Sequence, residues 1–318
     1  MNALSKRQFL KLSLASGVAL SLSACGGGDD HDIVDVLSDY SEYSLLVEAV
    51  QAAGLVDALK GRGPFTVFAP TNTAFVNLLG ELETTKDALF ADKPLLTAVL
   101  TYHVLAARVP AADIAFGRAI TTVETGIFKI DNVGGPVITD ERNRTANITV
   151  TNLYASNGVI HGIDKVILPG DKDIVDTAIS LAPEFSTLVA AVQAAGLEST
   201  LRGEGPFTVF APTNAAFTTA LATLGIDPTD LLTDPDKRSL LVQILKYHVV
   251  PVRVLKAEVP LNTAITTVEG STFQVNNSLQ IVDALGRTAN IRPTDVLTSN
   301  GVIHVIDNVI LPVLPPVV

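Results

Sequence analysis

Gly63-Pro64-Phe65-Thr66-Val67-Phe68-Ala69-Pro70-Thr71-Asn72-Thr73-Ala74-Phe75 returns at Gly205 to Phe217 with one change, Thr73 to Ala215. Agreement at twelve of thirteen positions is not chance, because each match between unrelated segments has odds of roughly one in ten to twenty. The chain therefore holds an internal duplication. Within the phrase, Phe65 to Phe68 alternates aromatic and β-branched residues and predicts a strand, and Pro70, which has no N–H, is expected to end its ladder. Thr71 or Asn72 then offers a side-chain oxygen to the free N–H groups of a helix starting near Thr73, whose Phe75 turns back to the core. No Gly-x-Gly-x-x-Gly or Gly-Lys-Ser/Thr accompanies the turn, so the phrase reads as strand, turn and cap, not as a phosphate loop.

Outward from the phrase the same order of elements occurs twice. A helix is predicted over Tyr43–Ala53 and closed by Gly54, with its partner over Phe185–Ala195 closed by Gly196. Ala-Val-Gln-Ala-Ala-Gly-Leu is common to both, at 49–55 and 191–197. After the phrase comes a helix holding Leu96, Val99, Leu100, His103 and Val104, then short strands at Ile120–Glu124, Ile127–Ile130 and Ala146–Val150, and a long last strand over Val159–Leu168. The second copy repeats strands at Ile265–Glu269, Arg287–Ile291 and Ser299–His304. Asn157-Gly158 and Asn300-Gly301 predict hairpin turns with positive φ. Helices first and strands second make the fold class α+β, not alternating βαβ. The expected domains are 32–169 and 170–312, joined through Gly170-Asp171-Lys172, which is too short for free tumbling. A Pro-rich tail follows at 313–318.

The amino terminus reads as an export signal over 1–24, with a basic start and an apolar run from Leu12 to Leu22 that is too short to span a bilayer. Leu22-Ser23-Ala24-Cys25 resembles the lipobox of bacterial lipoproteins, which makes Cys25, the chain's only cysteine, the expected lipidation site. Residues 25–31 then form an acidic, Gly-rich tether. Gly26 in place of Asp after that cysteine favours the outer membrane where the cell has one. Lys6-Arg7 resembles a twin-arginine signal with lysine at the first position. The formal net charge is −11 over 318 residues, and removal of the signal takes away Lys6, Arg7 and Lys11 as well. So acidic a chain repels nucleic acid, and with no Trp and few aromatics it offers no stacking platform for bases or sugars.

Four of the five histidines recur in the copies, His103 with His248 and His161 with His304. His161 shares its alternation with Val159 and Ile163, and His304 with Val302 and Ile306, the phase of a buried face. Core histidines bonded to backbone are the expectation, and no pair has the close spacing of a zinc site. Asp164 and Asp307 are read as partners of neighbouring strands or turns. No Gly-x-Ser-x-Gly or free thiol supplies a nucleophile, so no enzyme, cofactor or metal is expected.

The repeated phrase, the Tyr102-His103 and Tyr247-His248 pairs, and Ser-Asn-Gly-Val-Ile-His leading to Val-Ile-Leu-Pro together resemble a tandem pair of fasciclin domains. The resemblance implies two β-wedges of about seven strands, each with helices packed against it, and an adhesion or matrix-attachment role. It places candidate partner contacts at Val99, Leu100, Tyr102, His103, Val104 and Leu105, and at Leu245, Tyr247, His248, Val249 and Val250. The expected partners are a cell-surface or matrix protein or polysaccharide, and the membrane through Cys25. The alternative is binding of a small apolar ligand such as a carotenoid or lipid, as in some algal relatives. Lys246 precedes Tyr247 where Thr101 precedes Tyr102, so the copies are expected to differ in ligand.

Overall fold

The computed structural model describes residues 31–225, 227 and 234–313. The signal, Cys25, most of the tether and all but the first residue of the tail lie outside the described residues. Each copy begins with a helix whose start is written in its sequence. Asp32 caps helix α1 (Ile33–Ser38) by accepting from the N–H groups of Val34 and Asp35, and Asp35 answers the Asp32 N–H in a capping box. Helix α2 (Ser44–Ala53) ends at Gly54 in the left-handed region, φ +72, and a short α3 (Val56–Leu59) follows.

Strand β1 (Phe65–Pro70) keeps Pro70 in its ladder, against expectation. Pro70 is the last residue of the strand, so its missing N–H removes no bond from the interior. Thr71 caps α4 (Asn72–Glu81) through Ala74 N–H. Asn72 is spent elsewhere, its side chain bonding Leu45 N–H, the Ser41 carbonyl and the Ser44 hydroxyl. After α5 (Lys86–Ala91) and α6 (Lys93–Tyr102) come β2 (Val104–Leu105), β3 (Ala119–Thr121), β4 (Ile127–Asn132), β5 (Pro136–Thr139), β6 (Thr145–Ala155) and β7 (Gly158–Ile163). These seven strands form one sheet in the order β2-β1-β7-β6-β5-β4-β3. All neighbours are antiparallel except β1 and β7, which run parallel.

The long last strand is a correction: β7 stops at Ile163, and Ile167 and Leu168 lie in the segment after it. Every residue of β7 is buried, because the helices cover one side and the curled sheet the other. Ile160 belongs to the helical core with Leu46, Val50 and Phe75, whereas Ile163 joins Phe68, Tyr102 and Phe128 in the wedge core. Strands β1 and β7 meet so closely at Gly158 that a Cβ there would lie 2.4 Å from the Phe65 carbonyl oxygen. The Asn-Gly turns are hairpins, but without the expected positive φ. Near these hairpins the left-handed residues are Asn152 (φ +61), within β6, and Asp295 (φ +59), at the equivalent position of the second copy.

The second copy repeats the helices as α7 (Ile174–Ser180), α8 (Ser186–Ala194), α9 (Glu198–Leu201), α10 (Asn214–Leu224) and α11 (Pro235–Tyr247). Its strands are β8 (Phe207–Pro212), β9 (Val249–Val250), β10 (Ala264–Thr266), β11 (Thr272–Val275), β12 (Gln280–Val282), β13 (Thr288–Asn290), β14 (Val296–Thr298) and β15 (Gly301–Ile306). They fall into two four-stranded sheets, β10-β11-β12-β13 and β14-β15-β8-β9. The continuous β6 of the first copy becomes β13 and β14, broken where Pro293 stands at the position of Val150 and removes a ladder donor.

The two domains share one apolar cluster of Ile127, Leu255, Leu297 and Val302. Around it, Asn143 donates to the Leu297 carbonyl at 2.9 Å and accepts from Leu297 N–H at 2.8 Å, pairing like a strand residue. Lys129 reaches Asp295 at 3.0 Å, with both side chains largely buried. Arg253 stands 3.8 Å from Glu141, which also accepts from the N–H groups of Ile127 and Gly170.

Candidate functional site

The Tyr-His pairs sit where each long helix runs into the short edge strand. Asp92 caps α6 through Leu95 N–H, and the helix ends by placing Tyr102 under the wedge and His103 under the helices. The Tyr102 hydroxyl donates to the Ile127 carbonyl and accepts from Glu141 N–H at 3.1 Å. Tyr247 does the same with Thr272 at 2.8 Å and Ala284 at 3.1 Å. Burial drives both phenols upward, Tyr247 to about 12.

His103 Nδ1 lies 2.7 Å from the Val99 carbonyl, and its Nε2 lies 3.1 Å from Ile167 N–H. One nitrogen must donate and the other accept, so the ring is neutral with its proton on Nδ1. His248 repeats this with the Ile244 carbonyl and Ile310 N–H. Desolvation lowers both imidazoles to about 4. His161 spans Val109 and Asn152, and His304 spans Val254 and Asp295, each ring tilted against Phe68 or Phe210. All four repeated histidines thus hold backbone to backbone.

Asp164 accepts from both the main-chain and side-chain nitrogens of Asn147, and Asp307 from those of Asn290, as a turn partner does. Among the described residues no group of three or more His, Cys, Asp or Glu side chains is placed to hold a metal ion.

The structure brings the resemblance-derived contact residues together but inside. Val99, Leu100, Tyr102, His103, Val104 and Leu105 are all buried, as are Leu245, Tyr247, His248, Val249 and Val250. In this conformation they pack and do not present a surface.

Behind each histidine lies an apolar cavity between the first three helices and the opening strand of the domain. It encloses about 100 Å³ in the first domain and about 60 Å³ in the second. Each residue lining the first has its counterpart lining the second, as Leu46 with Leu188, Val50 with Val192, Val67 with Val209, and Val123 with Val268. Three pairs differ in kind: Leu37 becomes Ala178, Ala58 becomes Thr200, and Thr101 becomes Lys246. At its rim the second cavity therefore carries Thr200 and the cationic Lys246 where the first has Ala58 and Thr101. The cavity lining comes from separate helices and strands, and no spacing in the chain announces it. The only signal was the exchange of Thr101 for Lys246 beside an otherwise repeated motif.

The fasciclin domain model matches residues 41–169 and 183–312. Transforming growth factor-beta-induced protein ig-h3 of Sus scrofa is 32% identical over 257 residues, 80% of this chain and 35% of that protein. Human periostin is 29% identical over 264 residues, 82% of this chain and 30% of that protein. The Synechocystis protein sll1735 is 40% identical over 139 residues, 44% of this chain and 98% of its own length. This chain thus spans about a third of the length of the long animal relatives and holds two units of the size that forms the whole cyanobacterial one. A FAS1 domain pair from the insect cell adhesion molecule fasciclin I aligns over 86% of this chain and 95% of its own, with a TM-score of 0.42 at 19% identity.

Proposed function

The chain belongs to the fasciclin domain family, as two domains in tandem, and from that membership we propose that it is a non-catalytic adhesion module held at the cell envelope. Its partner is a cell-surface or matrix protein or polysaccharide. Cys25 carries the lipid that anchors it, in the outer membrane where one exists, and the tether after Cys25 holds the first domain just off the bilayer. The observation that carries this reading is the joint between the domains. Lys129 with Asp295, Asn143 with Leu297, and the shared apolar cluster hold two similar binding bodies at a fixed spacing. A fixed pair gains avidity from two weak contacts when the partner repeats at a matching distance. The buried Tyr-His motifs support the role by fixing the framework from which the exposed loops contact the partner. Cells lacking the protein are expected to attach less to surfaces and to one another, with attachment restored by the full chain and not by Cys25→Ala. Wild-type attachment in the deletion strain would overturn the proposal.

A second reading, binding of a small apolar ligand, is favoured by the cavity that recurs at matched positions in both domains. A volume of about 150 Å³ holds a benzene ring. The enclosed spaces here are smaller, which favours an alkyl end of a lipid over the ring of a carotenoid.

A further inference from the structure

The cavity of the second domain has a feature that the apolar-ligand reading does not use. Its interior is made of Leu188, Val192, Val209 and Ile303, and its open side is marked by the exposed Gln193 and Thr200 and the half-buried Lys246. Lys246 forms no ion pair among the described residues. An ammonium at the lip of an apolar chamber with no carboxylate paired to it is placed to meet the head of an anion whose tail enters the chamber. His248 cannot serve that anion, because both of its nitrogens are committed to the Ile244 carbonyl and Ile310 N–H. The first domain has a matching chamber with Thr101 and Ala58 at the lip and Leu37 in place of Ala178, and so no charge there.

Resting on the apolar-ligand reading, we infer that the second domain binds a single-chain anionic amphiphile, a medium-chain alkanoate, with its tail end in the chamber and its carboxylate on Lys246. A linear tail matches an enclosed volume of about 60 Å³, and the rest of the chain lies in the open mouth toward the lysine. Thr200 and Gln193 supply further donors beside the carboxylate.

The duplication provides substitutions that the fold has already accepted, since each replaces a residue by its counterpart in the other copy. The test is calorimetric titration of octanoate and of octanol into the full chain carrying Cys25→Ser, so that no acyl group of its own competes. One octanoate per chain is expected. Lys246→Thr should weaken octanoate about tenfold, the order of a lost hydrogen bond to a charged group, and leave octanol unchanged. Ala178→Leu, which restores the bulk of Leu37, should weaken both. Thr101→Lys combined with Leu37→Ala should raise octanoate stoichiometry to two. If neither molecule binds, the inference and the apolar-ligand reading both fall. If both bind alike and Lys246→Thr changes neither, the anionic class falls and the apolar-ligand reading stands.

Discussion

His103 and His248 are neutral because their rings are buried and each donates and accepts one backbone hydrogen bond. Their unfolded value is near 6.5 and their folded value about 4, so between those limits the unfolded chain binds more protons. The stability they contribute is fully present above about pH 6.5 and drains as pH falls, by about 1.4 kcal/mol per pH unit for each ring. Asp140 and Glu141, raised by burial, work the other way in the acid range, so the comparison that isolates a histidine is with His103→Gln. Urea titrations at pH 6.5 and 4.5 should show that variant losing less stability on acidification than the wild type, by about 1.4 kcal/mol per pH unit. Equal losses would refute the assignment. The burial of the His103 ring was legible from its place beside Val99 and Leu100 on an apolar helix, but the bonding partners of these rings were not, because Ile167 and Ile310 reach them from segments beyond the strands. Tyr43 and Gly162 in the first domain stand where the second has Phe185 and Val305, and a Cβ on Gly162 would lie 2.3 Å from the Tyr43 hydroxyl. The larger ring is accommodated by the smaller neighbour.

At the level of elements, the repeated phrase announced its strand, its cap and its helix, though not that Pro70 stays in the ladder. What it could not announce was the strand's partner. β1 lies parallel to β7 across more than ninety residues, a pairing set by tertiary packing and not by any local signal. β5 escaped the reading because Gly134-Gly135-Pro136 has the composition of a loop, and the supposed long last strand was two segments divided at Asp164, whose carboxylate turns to Asn147. The Asn-Gly turn also proved more than a turn. Asn157 accepts from Ile33 N–H and donates to the carbonyls of Leu59 and Gly61, fastening the start of α1 and the end of α3 to the β6–β7 hairpin. Asn300 does the same with Ile174, Leu201 and Gly203. Asn157→Ala removes three largely buried bonds and strands their partners, and should cost about 3 kcal/mol in chemical denaturation. A loss below about 1 kcal/mol would mean that the clamp is dispensable.

Over the whole molecule, the duplication made the two domains evident, and the brevity of Gly170-Asp171-Lys172 foretold that they touch. The contact itself was hidden, because Lys129 and Asp295 are separated by most of the chain and neither belongs to a repeated motif. Lys129→Gln leaves the Asp295 carboxylate buried without its cation and should cost about 3 kcal/mol. Calorimetry should then show the heat absorption separating into two transitions as the domains lose their coupling, whereas a single transition at the wild-type temperature would show that the ion pair does not couple them. The joint is also one-sided. The first domain contributes Lys129, Glu141 and Asn143, and the second answers with Asp295, Arg253 and Leu297. A head-to-tail contact of that kind propagates without limit when every unit carries both halves. Here the second domain has Gln274, Ala284 and Gly286 where the first has its lysine, glutamate and asparagine. The second domain therefore lacks the three side chains with which the first grips it, and the same residues cannot make this joint a second time.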